Sequence, residues 1–115
     1  MNIEELREYC ISKKGVTEGF PFDESTLVFK VSGKMFALTD LVDALSVNLK
    51  CDPEKAIALR EQYPCVIPGY HMNKQHWNTV IIDGSLNDNL IKEWITHSYE
   101  LVVKSLTKKQ QQELL

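Results

Sequence analysis

The stretch Thr26-Leu-Val-Phe-Lys-Val-Ser-Gly-Lys-Met-Phe-Ala-Leu-Thr39 decides the fold. In its first half Leu27, Phe29 and Val31 fall on one side and Val28 and Lys30 on the other, the period of two of a half-buried strand. Ser32-Gly33 supplies a tight hairpin turn, and Lys34 to Thr39 returns as a second strand whose alternation is less clean. Beyond it, Leu45, Val47 and Leu49 alternate with Ser46, Asn48 and Lys50 to give a third. Three successive strands predict an antiparallel meander.

Helices flank the meander. Asn2 and Glu5 form a capping box ahead of Ile3, Leu6 and Cys10, which share one helical face. Gly15 and Gly19 stop that helix, and Pro21 with Asp23 predict an irregular segment up to the first strand. Asp52-Pro53-Glu54 combines an N-cap carboxylate, proline at the first helical position and an acidic first turn, so a second helix should run to Tyr63 and end at Pro64. Short strands are expected at Cys65 to Ile67 and at Trp77 to Ile82. Asp83-Gly84 turns the chain, and Asn87 caps a long helix that buries Ile91, Trp94, Ile95, Leu101 and Val102, its start clamped by Leu86 against Ile91. Thr107 with Gln110 predicts a short closing helix. The order is α-β-β-β-α-β-β-α: an α+β fold in two layers, an antiparallel sheet of about five strands with helices packed on it.

Composition bounds what such a fold can do. At 115 residues, 43% hydrophobic and 25% charged, the chain matches one globular domain and not a disordered segment. Thirteen basic against sixteen acidic residues leave a net charge of -3, so bulk electrostatics repel nucleic acid and anionic membranes, and any anion binding must be local. Cys10, Cys51 and Cys65 are odd in number and lack paired spacing, as expected of free thiols in a reducing compartment. Met-Asn-Ile-Glu-Glu-Leu-Arg-Glu is too charged for a signal peptide, and no apolar run reaches the length of a membrane span; the expectation is a cytoplasmic protein without membrane contact.

One connection stands apart from this acidic background. Between Gln62 and Ile82 there is no carboxylate, and residues 64 to 77 hold two of the three histidines, a lysine, a tyrosine, a tryptophan and several amides. Loops positioned by a rigid scaffold commonly carry function.

Pro68-Gly-Tyr-His-Met-Asn-Lys-Gln-His-Trp-Asn-Thr-Val80 resembles, almost residue for residue, the central signature of the MmcQ/YjbR-like family of small bacterial proteins. Supporting matches are Gly33-Lys34-Met35-Phe36, Leu49-Lys50 with Pro53-Glu54, and Ser98-Tyr99-Glu100-Leu101-Val102, so the likeness spans nearly the whole chain. Pro21-Phe22-Asp23 departs from it, since many members have glycine or another small turn residue where Asp23 stands. The resemblance implies helices on an antiparallel sheet, similar to type III secretion chaperones, and a DNA-binding role.

Residue chemistry offers that role a modest basis. Lys30, Lys34, Lys50 and Lys74 can contact phosphates, and Tyr70, His71, Asn73 and His76 lie in the signature as further contact candidates. Tyr70 and Trp77 can stack bases, and Asn73 and Gln75 carry amides for base edges. Four neutralised phosphates give a salt slope of about -3.6, the mark of weak binding. A structural reading competes: Trp77 as a core plug at the start of its strand, Asn73 and Asn78 satisfying loop amides, Lys74 hydrated at the surface. Cys65, His71 and His76 match no metal-ligand spacing and make no evident nucleophile pair, His97 reads as a solvent-edge residue, and neither paired carboxylates nor a phosphate loop suggests catalysis. The expectation is a DNA-binding protein without cofactor, metal or enzymatic activity. The alternative is a chaperone-like module that receives a protein partner on the sheet or on the loop from Pro64 to Trp77.

Overall fold

Backbone pairing makes the meander the centre of a wider sheet. The computed structural model describes residues 1–69 and 72–115. In chain order they form α1 (Ile3–Ile11), β1 (Val16–Gly19), β2 (Thr26–Val31), β3 (Lys34–Asp40), β4 (Ser46–Lys50), α2 (Pro53–Gln62), β5 (Val66–Pro68), β6 (Trp77–Ile81), α3 (Asp88–Ser105) and α4 (Lys108–Glu113). The strands lie in the order β1-β2-β3-β4-β6-β5, every pairing antiparallel.

Six strands stand where about five were expected, and the additional one is β1. Its four residues, Val-Thr-Glu-Gly, carry a single apolar side chain and sit on the sheet edge, paired only with β2 and tied to α1 by the Arg7–Glu18 ion pair, so they never needed the alternation that marks a buried strand. The imperfect alternation of β3 also has a cause. Phe29 pairs with Ala37 and Lys30 with Met35, leaving Phe36 as the extra residue of a β-bulge, and both Phe36 and Ala37 are fully buried. The bulge is held from above. Ser98 of α3, itself fully buried, donates its hydroxyl to the Phe36 carbonyl at 2.5 Å and accepts from the Lys50 amide at 2.8 Å.

The caps follow the sequence closely. Asn2 with Glu5 and Thr107 with Gln110 form capping boxes, Asp52 accepts from the amides of Glu54 and Lys55, and Asn87 accepts from Asn89. Ser32 and Gly33 adopt φ of 48° and 80°, the positive pair that a two-residue hairpin of the favoured twist requires. Asp23 needs no such conformation. Its carboxylate accepts from the amides of Ser25 and Thr26, and an aspartate turn does there what glycine does elsewhere.

The main core joins Leu27, Phe29, Val31, Val47, Leu49 and Val80 of the sheet to Leu6 and Cys10 of α1 and Ile91, Trp94 and Ile95 of α3. A second, smaller core lies on the opposite face, where Val28, Leu38 and Trp77 are buried against Met35 and Met72. Among the described residues it contains no helical one. The reading of β2 as half-buried therefore understates it: Val28 is 1% exposed in this second core, against which Met72 packs. No helix among the described residues is long and apolar enough to cross a membrane.

Candidate functional site

Antiparallel pairing fixes which connections share an end of the sheet. Val16 pairs with Val31, Val31 with Lys34, Lys50 with Trp77, and Pro68 with Asn78. The α1–β1 connection, the β2–β3 turn, the β4–α2 connection and the β5–β6 loop therefore all meet at one end. The β1–β2, β3–β4 and β6–α3 connections meet at the other. Charge follows this division. Residues 20–25, 41–45 and 82–87 contain Asp23, Glu24, Asp43 and Asp83 and no lysine or arginine. The opposite connections contain Lys13, Lys14 and Lys74 against Asp52 alone, and the strand ends beside them add Lys30, Lys34 and Lys50. An acidic chain thus has one basic end.

The four sequence-predicted lysines share this end but not one direction. Lys30 alternates with Phe29 and Val31 of the main core, and Lys50 stands opposite Trp77, so both project on the helix-free face, separated only by β3. Two strand spacings put their backbones about 10 Å apart. Among the described residues neither ammonium is committed to a partner. Lys34 leans toward the helical layer, its Nζ 3.5 Å from the Ser105 carbonyl. Lys74 is exposed, yet its Nζ donates to the Gly69 carbonyl at 3.0 Å and closes its own loop.

The described residues of the loop between β5 and β6 bond largely to one another. The Asn73 side chain accepts from the amides of Gln75 and His76, and its carbonyl accepts from Trp77. The Gly69 amide donates to the Trp77 carbonyl, and a Cβ at Gly69 would lie 2.8 Å from the Trp77 Cβ, so this position takes no side chain without movement. His76 is half-buried and its carbonyl accepts from Cys51, which ties the loop to the start of α2. Asn73 and His76 are therefore framework residues first. Gln75 remains exposed. Tyr70 and His71 lie outside the described residues.

Trp77 is 8% exposed and packs with Val28 and Leu38, which matches the core reading and removes it as a stacking platform. Two readings need correction. Asn78 serves no loop amide: it is 2% exposed and donates to the Ala56 carbonyl at 3.2 Å. His97 is only partly at the solvent edge, because its Nε2 is buried; desolvation, followed by the nearby Lys55 charge, lowers its pKa. Sequence spacing also missed Arg60, which donates to the Lys74 carbonyl at 3.1 Å and brings a further cation to the loop from fourteen residues away.

The helix-free face carries open space as well. A cleft of about 400 Å³ is bounded by Phe22, Asp23, Leu38, Asp40, Asn48 and Met72, and another of about 340 Å³ by Gly19, Phe20, Val28 and Lys30. Phe22 is 63% exposed and, beyond the first cleft, Val42 is 75% exposed.

The YjbR family model matches residues 11–101. The chain belongs to the YjbR family. It is 39% identical to the uncharacterized protein YjbR of Escherichia coli K12 over 107 residues, which is 92% of this chain and 91% of that protein. It is 40% identical to the uncharacterized protein YbdF of Escherichia coli O157:H7 over 93 residues, 80% of this chain and 76% of that one. A crystal structure of a Deinococcus radiodurans protein with the domain DUF419 superposes with a TM-score of 0.92 at 42% identity, covering 98% of this chain and 87% of that one. A Pseudomonas syringae protein superposes with a TM-score of 0.77 at 29% identity, covering 88% and 98%. The matched residues 11–101 include the stretch from Pro68 to Val80, whose described residues belong to the end of β5, the β5–β6 loop and β6.

Proposed function

We propose that this YjbR-family chain is a small cytoplasmic DNA-binding protein that holds the phosphate backbone at the basic end of its sheet. Lys30 and Lys50 are its free phosphate contacts, Lys34 and Lys74 add charge at the margins, and the exposed Gln75 offers its amide to the bases, with Tyr70 and His71 as further contact candidates by sequence. The observation that carries the reading is the segregation of charge along the strands, which gives a protein of net charge -3 a local surface that anions can approach. The role is binding without catalysis or cofactor, and the three free, buried thiols suit a reducing cytoplasm. Few cations imply weak, salt-sensitive binding with little sequence preference.

A second reading has its own support. The cleft beside Phe22 and Met72, with Asp23 and Asp40 on its walls and the exposed Phe22 at its edge, suits a partner protein segment that is both apolar and cationic. Amide chemical-shift mapping separates the two. Titration with a mixed-sequence duplex should move Lys30 to Met35, Lys50 and Met72 to His76. Shifts confined to residues 20–25 and 38–48, or none at low salt, would overturn the nucleic-acid reading.

A further inference from the structure

We infer that the protein holds one ordered water between Asn78 of β6 and His97 of α3, in a small, mainly apolar cavity beside α2. The orientation of the Asn78 amide is fixed by chemistry: its Nδ2 donates to the Ala56 carbonyl, and a flipped amide would set oxygen against oxygen. Its Oδ1 therefore points away from Ala56, and it is buried with no hydrogen-bonding partner. The same holds for the His97 Nε2. These are the two buried side-chain polar atoms left unpaired among the described residues, and both residues line one cavity of about 10 Å³. Leu49, Leu59, Val80 and Trp94 supply its apolar walls.

Volume and chemistry agree on the occupant. The cavity has the room of about one water and no more. A carbonyl oxygen needs a donor, and a neutral imidazole nitrogen needs a donor or an acceptor according to its tautomer. Water supplies either pairing with its two protons and two lone pairs, whereas an apolar filling would leave both groups unsatisfied. The bridge runs from α3 through the water to β6 and, by way of the Asn78 amide, on to α2. It stands independently of nucleic-acid binding.

A crystal structure fine enough to show waters tests this directly, with solution NMR of the wild-type chain as its partner. The expected result is a density peak about 2.7–3.2 Å from both Asn78 Oδ1 and His97 Nε2, together with cross-peaks between long-lived water and the Asn78 side-chain amide protons. In Asn78→Leu the peak and the cross-peaks should vanish; if that variant does not fold, the wild-type measurements decide alone. A dry cavity without cross-peaks, or a direct hydrogen bond from His97 to Asn78 that closes the cavity, would overturn the inference.

Discussion

The Lys74 ammonium donates to the Gly69 carbonyl at 3.0 Å, so the one cation of the β5–β6 loop also ties that loop shut. Lys74→Ala should then cost about 0.5 to 1.5 kcal/mol of stability as well as one positive charge. Urea denaturation would show the loss, and hydrogen exchange should quicken at the amides of Gly69 and Trp77. Unchanged exchange there would mean that the contact does not hold the loop. Because this substitution changes shape and charge together, Lys30 and Lys50 are the cleaner probes of electrostatics.

Gly69→Ala should destabilise by about 1 to 3 kcal/mol, since the new methyl group meets the Trp77 Cβ at 2.8 Å and its carbonyl oxygen at 2.9 Å. The melting temperature should fall while the secondary structure measured by circular dichroism persists. A melting curve that overlays the wild type would show that the close approach is not required.

Trp77→Ala should cost about 3 to 5 kcal/mol by emptying the second core beneath Met72. Ser98→Ala should cost about 1 to 3 kcal/mol, because the Lys50 amide and the Phe36 carbonyl at the bulge would lose a shared, buried partner. Equilibrium unfolding measures both. Neutral results would displace Trp77 from the core or Ser98 from its bridging position.

Local chemistry and long-range contacts divide what this sequence makes legible. Helix starts at Asn2, Asp52, Asn87 and Thr107 were legible because a cap is a local bargain between a side chain and amides two or three residues away. The meander was legible because burial on one face imposes alternation. Strand β1 was not, because an exposed edge strand held by backbone pairing and by the Arg7–Glu18 ion pair, eleven residues apart in the chain, shows no alternation of buried and exposed side chains. The second core escaped for a related reason: nothing local in Met72 says that its loop returns over Val28 and Leu38. At the candidate site the lysines could be named, but their convergence depended on which connections share a sheet end. Their division into free and occupied cations depended on contacts as distant as Lys34 to Ser105.

His97 predicts a pH dependence. Desolvation first, and then the Lys55 charge, lower its pKa from 6.5, so the folded state resists the proton that the unfolded chain accepts. The unfolded state binds more protons in that window, and stability must rise with pH there. The His97 contribution is thus fully present above pH 6.5 and is lost as pH falls through the lower folded value. Urea midpoints taken above and below pH 6.5 should differ more for wild type than for His97→Gln. Equal differences would assign the pH dependence to other groups.

The central claim is that the basic end of the sheet binds the phosphate backbone, and a salt titration of binding to mixed-sequence double- and single-stranded DNA tests it most directly. The wild type should bind at low salt, with log affinity on double-stranded DNA falling against log salt at a slope of about -3.6. In Lys30→Ala/Lys50→Ala that slope should flatten by about 1.8, with the melting temperature held near wild type. Absence of binding at low salt, or a double variant with the wild-type slope, would contradict it.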